Sequence, residues 1–296
     1  MRNSEINMYL CSPYFNMSVK IKQVLSALEQ FAPLPLQESW DNAGLQIGLT
    51  EADVSGALLC LDVTEKVIDE AIAKGCNLVV SHHPLLFRGL KQVSDANDVQ
   101  RTVRKAIKND ICVISMHTNM DNAKGGVNFK IAERLCSAYA TPLLRPCYSL
   151  ATPTEPMSPI GPMSPMSQEK QPFVLAELPE AMEAQAFINL VKERFGVKCA
   201  MCNELLQRPI QKVAICGGAG DFMLDEAIAA GADAFITGEM HYHVYFGHEQ
   251  QIQICVIGHY ESEQFTSEIF QEIIQKECPG VPTFIAETNT NPINYL

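Results

Sequence analysis

The sequence predicts an α/β protein made of two related halves, and three observations support this prediction. First, residues 56–83 align with residues 212–239 without a gap. Second, each copy reads as a strand, a turn, an amphipathic helix, a glycine at the helix C-terminus and a second strand. Third, the histidines follow predicted strands and are absent from the predicted helix faces. Because strand–helix–strand units of this size pair their strands in parallel, we expect a parallel sheet in each half.

The composition restricts the class of function. A chain of 296 residues is long enough for two domains of ordinary size. Its net charge of −12 argues against general nucleic-acid binding, which needs a basic face. No apolar run approaches the about 18 residues of a membrane span. Eleven cysteines, several of them inside apolar runs, are typical of reduced core residues. We therefore expect a cytoplasmic protein that acts on a small molecule.

The domain organisation follows from the chain in order. Residues 1–17 are predicted to be an unstructured extension. The alternative is that residues 1–16 precede a true start at Met17. A first α/β domain is expected over 18–140, opening with a helix over 18–31 whose apolar residues recur at helical spacing. Residues 141–172 contain eight prolines and are predicted to be a low-complexity linker. A second α/β domain is expected over 173–296, with a C-terminal segment that can pack back on the first.

The first domain also contains the only tryptophan, Trp40, within the turn Ser39–Gly44. Asp, Asn and Gly in succession indicate a turn, and Leu45–Ile47 indicates a short strand. Two interpretations remain open for this segment. It is either a structural turn or a loop that faces a substrate.

The predicted strand over Leu78–Ser81 ends in His82 and His83 and is stopped by Pro84. Neutral imidazole is the commonest side-chain metal ligand, and two in a row at a strand end suit a pair of ions. The alternative is a pair of hydrogen-bonded structural histidines.

The next strand in each half has the same character, because Ile111–Ile114 recurs as Ile254–Ile257. Asp121 follows the first of these, and His259 and Glu263 follow the second at helical spacing i, i+4. Strand ends in open parallel sheets are where ligands bind. Mixed nitrogen and oxygen ligands suit zinc, iron, manganese or nickel. We predict two divalent ions, bridged by Glu263, with the ligands His82, His83, Asp121, His259 and Glu263.

Other residues have less specific signals. Besides Glu263, we select His117 and Glu239 as candidate catalytic residues, acting as acid–base groups or as partners of the ligands. Hydrogen-bonded structural roles are the alternative for both. Gly217–Asp221 connects a strand to a helix and either binds a phosphate or makes a tight turn. Cys199 and Cys202 have CxxC spacing, but without a second pair they favour a structural role over a zinc or redox site.

The motifs in combination resemble those of the NIF-three-like family, whose members are often named GTP cyclohydrolase 1 type 2 homologs. The resemblance runs from about residue 18 to the C-terminus. It implies two interlocked α/β domains, a dinuclear metal site between them and a homohexamer, and it places the metal ligands on the same five residues. The Pro-rich linker stands where longer members carry an inserted domain. The motifs are Ser39–Leu45, Ser81–Leu85, His117–Asp121, Thr237–Glu239 with His243, and Gly258–Glu263.

The function predicted from these features is a metal-dependent hydrolase of a nucleotide or another phosphorylated small molecule. The resemblance implies attack of water on C8 of the guanine ring of GTP, with ring opening and release of formate. Phosphoester hydrolysis would use the same metals. The rival hypothesis is a non-catalytic metal carrier, sensor or interaction scaffold, in which the metal site would be coordinatively closed.

Overall fold

A computed structural model describes residues 18–136, the backbone of residues 143–147, and residues 169–296. The predicted extension 1–17 and most of the predicted linker lie outside the described residues. No described helix is both long enough and apolar enough to cross a membrane. The helices are α1 (Ile21–Phe31), α2 (Glu65–Ala73), α3 (Asp98–Lys108), α4 (Thr118–Asp121), α5 (Val127–Cys136), α6 (Ala184–Phe195), α7 (Leu224–Ala229), α8 (His259–Glu263) and α9 (Thr266–Glu277).

The strands form two sheets. The strands are β1 (Gly44–Ile47), β2 (Ala57–Cys60), β3 (Leu78–Ser81), β4 (Cys112–Ser115), β5 (Leu143–Cys147), β6 (Phe173–Met182), β7 (Met201–Cys202), β8 (Ile210–Cys216), β9 (Ala234–Thr237), β10 (Gln253–Val256) and β11 (Thr283–Ile285). The first sheet has the order β1-β4-β3-β2-β11 and is parallel except for β1, and the second has the order β5-β6-β8-β9-β10-β7 with β8, β9 and β10 parallel. The mixed α/β class is therefore confirmed.

The strand register confirms the internal repeat. Ala57 pairs with Leu78 between β2 and β3, and the residues aligned with them, Val213 and Ala234, pair between β8 and β9. For the third strand, the sequence match aligns Cys112 with Cys255. In the sheets the residue equivalent to Cys112 is instead Gln253, two positions earlier, because Leu78 pairs with Cys112 whereas Ala234 pairs with Gln253. Side chains alternate with a period of two, so this displacement keeps the same side chains on the same face. The periodicity alone could not detect it.

The two halves exchange elements. Helix α9, from the end of the chain, packs on α1 and β2, and β11 extends the first sheet by pairing with β2. Helix α5, from the first half, packs on α6, β6 and β8 of the second. A continuous core fills the space between the sheets, with Ala57 and Leu59 of β2 facing it and Leu58 facing the helices on the outer side. Each such buried leucine stabilises the fold by about 1.5–3 kcal/mol.

The predicted linker is structured at both of its described ends. Residues 143–147 form β5, which pairs antiparallel with β6 at the edge of the second sheet. Proline lacks a backbone N–H, but an edge strand accepts it because one side of the strand needs no partner. At the other end, buried Gln171 donates its backbone N–H to the carbonyl of Asn122 at 3.0 Å. Residues 143–147 and 171 of the predicted low-complexity linker are therefore hydrogen-bonded to the folded chain.

Candidate metal centre

The carboxyl ends of the parallel strands of both sheets meet at one place. In the first half, His82 and His83 follow β3 and His117 follows β4. In the second half, Glu239 follows β9, and the loop after β10 leads into α8. The short helices α4 and α8 begin at these strand ends and bring in Asp121 and Glu263. The topology thus concentrates side chains from distant parts of the sequence, as expected for open parallel sheets.

His82 is fully buried, and its orientation is set by the backbone. Its Nδ1 lies 2.9 Å from the carbonyl oxygen of Met116, which can only accept a hydrogen bond, so Nδ1 carries the proton. The unprotonated Nε2 then faces Asp121 Oδ1 at 3.6 Å and Glu263 Oε1 at 3.7 Å. Within the described chain, neither His82 Nε2 nor Asp121 Oδ1 has a hydrogen-bond partner. Two buried, unpartnered acceptors that face each other fit a cation.

A second group lies on the other side of Glu263. Glu263 Oε2 is 3.1 Å from His83 Nε2 and 3.1 Å from His259 Nε2, and these two ring nitrogens are 3.2 Å apart. The opposite nitrogens of both rings face carboxylates: His83 Nδ1 lies 2.7 Å from Asp62 and His259 Nδ1 lies 3.0 Å from Glu239. A carboxylate behind an imidazole is the usual support of a metal-bound histidine.

The described residues therefore contain groups of three side chains that could each hold a metal ion. Glu263 belongs to two of them, one with His82 and Asp121 and one with His83 and His259. His117 joins His82 and His83 in a third. All five predicted ligands lie together in the structure, and the candidate catalytic His117 lies beside them.

The electrostatics of the cluster fit cation binding. Burial alone would raise the pKa of Glu263, but hydrogen bonds from the imidazoles of His259 and His83 hold it well below its usual range. Burial and the nearby Glu263 raise the pKa of Asp121 well above its usual value. Burial lowers the pKa of His82 and keeps its ring neutral. The cluster thus contains a buried carboxylate charge and a neutral imidazole, both of which a cation would stabilise.

His83 and His259 behave differently from His82. Burial alone would lower the pKa of His83, but its contacts with Asp62 and Glu263 raise it to about 10. Burial likewise opposes the shift of His259, and the contact with Glu263 raises its pKa to about 9. In the metal-free protein at neutral pH both rings therefore carry a second proton, and a cation that binds them would displace one proton from each ring.

Glycines make room for Glu263. Gly218 has φ +59°, and a Cβ at this position would lie 2.3 Å from Glu263 Oε1. The N–H groups of Gly217, Gly218 and Gly220 donate to Asn128 Oδ1, Ser262 Oγ and Thr237 Oγ1 at 2.9–3.1 Å. These three donors are occupied within the protein, which favours the tight-turn interpretation of this segment.

The candidate catalytic residues His117 and Glu239 have different surroundings. His117 Nδ1 lies 2.8 Å from Asp41, which also accepts the backbone N–H of Thr118. Burial alone would raise the pKa of Asp41, but these partners lower it to about 2, so Asp41 is a fixed negative charge behind His117. The carboxylate of Glu239 is 57% exposed and contacts His259 through Oε1. The geometry of Glu239 is that of a group that orients a ligand.

Sequence reasoning missed three supporting residues, and three histidines lie outside the cluster. Asp41, Asp62 and Thr290 were not selected, although Asp62 follows strand β2 at the same distance as His83 follows β3. Thr290 donates to Asp62 Oδ2 at 2.7 Å, and no local pattern marks it because it comes from the C-terminal tail. His241 is an exposed partner of Asp221, and His243 and His248 belong to none of the described ligand groups.

Comparison with known proteins agrees with this architecture. A family model described as Duf34/NIF3 (NGG1p interacting factor 3) matches residues 19–292. A Clostridium perfringens protein named GTP cyclohydrolase 1 type 2 homolog is 34% identical over 280 residues, covering 94% of this chain and 100% of that protein. A Clostridium acetobutylicum protein of the same name is 29% identical over 285 residues, with the same coverage.

Solved structures show the same fold. A Staphylococcus aureus protein matches with a TM-score of 0.78 and 26% identity, covering 94% of this chain and 99% of the other. A Bacillus cereus protein related to NIF3 matches with a TM-score of 0.77 and 25% identity, with the same coverage. The resemblance seen in the sequence motifs is confirmed over nearly the whole chain. The chain belongs to the Duf34/NIF3 family.

Proposed function

We propose that this protein is a hydrolase that holds two divalent cations between its two halves. His82 and Asp121 would bind one cation, His83 and His259 the other, and Glu263 would bridge them. The observation that carries this proposal is the position of the Glu263 carboxylate, since Oε1 faces His82 and Oε2 faces His83 and His259. Bound there, two cations would act as Lewis acids and lower the pKa of a water molecule between them.

The ligand set supports a charged but stable centre. Two carboxylates in direct reach, Asp121 and Glu263, offset part of the repulsion between two dications. Asp62 and Glu239 stand behind His83 and His259 and increase their basicity as ligands. Zinc, iron, manganese and nickel all accept such nitrogen and oxygen ligands.

The geometry favours a hydrolase over a closed metal carrier. His117 has a ring nitrogen within the third ligand group, while Asp41 holds its other nitrogen. A histidine fixed in this way is suited to proton transfer beside the cations. A cavity of about 560 Å³ opens next to His259 and Glu239, which gives a small molecule access to the site. A storage site would need neither feature.

The substrate we propose is a guanine nucleotide, because the relatives carry the name GTP cyclohydrolase 1 type 2 homolog. The reaction would be attack of water on C8 of the guanine ring, which breaks one C8–N bond and leaves a formamide, followed by attack of a second water on the formamide, which releases formate and leaves a free amine. No lysine or arginine lines the cavity among the described residues, so the structure offers no side-chain clamp for a triphosphate there. Hydrolysis of a phosphoester is the second candidate, since it would use the same cations. The proposal includes a homohexamer in the cytoplasm.

Metal analysis of the purified protein, followed by a nucleotide panel with detection of formate and phosphate, tests this proposal. We expect two ions per protomer and turnover of GTP with release of formate. Release of phosphate alone would identify the second candidate. Two bound ions without turnover of any nucleotide would contradict the hydrolase and favour the carrier.

A further inference from the structure

Two aromatic side chains stand exposed at the mouth of the metal centre. Trp40 is 58% exposed and Phe87 is 45% exposed, although side chains of this size are usually buried. Their ring centroids are 5.8 Å apart and their planes are tilted by 55°. Phe87 therefore supports one side of Trp40 and leaves the rest of the indole open to solvent.

The loops that carry these two rings are bonded to each other. Asn42 donates its side-chain N–H to the carbonyl of Leu86 at 2.7 Å, and Gln46 accepts the backbone N–H of Leu86 at 3.1 Å. Asp41, next to Trp40, is anchored to the backbone N–H of Thr118 at 3.0 Å. Exposure of Trp40 is thus a fixed feature of a well-bonded turn, which lowers the entropy cost of using it for binding.

Only one imidazole separates Trp40 from the candidate ligands. The ring of His117 lies 6.1 Å from that of Trp40 and 6.3 Å from that of Phe87. On its other side, the same ring lies 5.2 Å from His82 and 5.4 Å from His83. A flat molecule resting on Trp40 would present its edge to His117 and the metal centre.

We propose that Trp40 is a stacking platform for the planar heteroaromatic ring of the substrate, a fused ring of the purine type. The identity of the reaction rests on the proposed function, whereas the platform rests on the exposed rings themselves. Stacking of a base on an aromatic side chain contributes ~1–3 kcal/mol. The cavity beside His259 and Glu239 is lined by one tyrosine, Tyr295, which is 37% exposed, so Trp40 with Phe87 offers the larger exposed aromatic surface for a base.

The single tryptophan makes the test direct, because all tryptophan fluorescence comes from Trp40. The metal-loaded protein is titrated with guanosine, which lacks phosphates, and with ribose, which lacks the base. We expect saturable quenching by guanosine after correction with free N-acetyltryptophanamide, and no change with ribose. Equal effects of the two compounds, or no saturable change with guanosine, would overturn the platform.

Variants separate stacking from folding. Equilibrium dialysis with labelled guanosine should show a dissociation constant raised about 5- to 150-fold in Trp40→Leu, the range that corresponds to ~1–3 kcal/mol. Trp40→Phe keeps an aromatic face and should show a smaller rise. Tyr242→Leu, which removes another exposed aromatic ring, should bind like wild type. The same dissociation constant in Trp40→Leu and wild type, with equal metal content, would overturn the platform.

Failure of the platform and failure of the proposed function give different results. Quenching by guanosine without any turnover would keep the platform and contradict the hydrolase. Turnover of GTP with formate release, but without guanosine quenching, would keep the hydrolase and remove Trp40 from the site. An emission spectrum of a buried indole in the free protein would show that another copy of the chain covers Trp40, which also overturns the platform.

Discussion

The two halves of the molecule share one backbone plan but use it for different purposes. His82 and His83 of the first half occupy the same places in the sheet register as Gly238 and Glu239 of the second. The first half therefore presents two candidate ligands where the second presents one glycine and one carboxylate. Glu239 stands behind His259, as Asp62 stands behind His83.

The turn after the first strand of each repeat shows the same division of roles. Asp62 in the first half aligns with Gly218 in the second. A side chain at Gly218 would collide with Glu263, and a Cβ at Gly238 would lie 2.7 Å from Ser262 Oγ. The second half thus gives up side chains at two positions, and α8 approaches closely enough to bring in Glu263. The comparison indicates how two halves with the same backbone plan can form an asymmetric candidate site: one half carries side chains at positions where the other has glycine, and the glycines leave room for Glu263.

The largest effect should come from closing that space. We expect Gly218→Ala to lose most of its bound metal, because its Cβ would lie 2.3 Å from Glu263 Oε1 and would displace the carboxylate. Gly231→Ala is the matched control: it also has positive φ, at +74°, but nothing lies within 4 Å of its added Cβ. The control should lose ~1–2 kcal/mol of stability and keep its metal. The measurement is metal content per protomer. Full metal occupancy in Gly218→Ala would contradict the role assigned to the glycine at this position.

A smaller effect should come from the two supporting carboxylates. Asp62→Asn and Glu239→Gln each remove the charge behind one ligand, and such losses typically cost about 10- to 100-fold in metal affinity. We expect the larger loss for Asp62→Asn, because Asp62 is less exposed than Glu239 and also accepts from Thr290. Competition with a chelator of known affinity measures both. A larger loss for Glu239→Gln would reverse the assigned roles.

The smallest effect should be on the pH dependence of the metal-free protein. The pKa values of His83, about 10, and His259, about 9, lie above the ordinary value of 6.5. Groups with raised pKa values stabilise the folded state fully below pH 6.5, and this stabilisation is lost as pH rises through 9 to 10. The melting temperature of the metal-free protein should therefore fall over this range, while metal affinity increases.

Thermal unfolding of metal-free wild type and of His259→Gln between pH 6.5 and 9 checks this expectation. Glutamine does not titrate, so the variant should show a shallower fall than wild type. A wild-type melting temperature that is constant or rises over this range would contradict the charge states assigned to the two histidines.

The sequence was sufficient to predict much of the fold and to select residues that the structure brings together in the candidate site, for identifiable reasons. The gapless repeat contains its own register, so the pairing of β2 with β3 and of β8 with β9 could be predicted from it. The candidate ligands were recognisable because each directly follows a strand or lies in a short helix just after one. These are local signals.

The remaining features depend on contacts between distant segments. Strand β5 was missed because proline content says nothing of whether a neighbouring edge is available. Thr290 reaches Asp62 across 228 residues, and the glycine-rich turn after β8 makes room for the Glu263 side chain. Sequence patterns report what a segment can do alone, and these roles are set by what packs against it.

The bridging role of Glu263 is the central claim, and metal content of three proteins at one buffered metal concentration tests it most directly. Wild type should hold two ions per protomer. His82→Ala should keep one, because His82 faces only one side of the Glu263 carboxylate. Glu263→Gln should keep fewer than His82→Ala, because the neutral amide removes the charge that both cations share. Two ions in Glu263→Gln with activity intact would contradict the bridge.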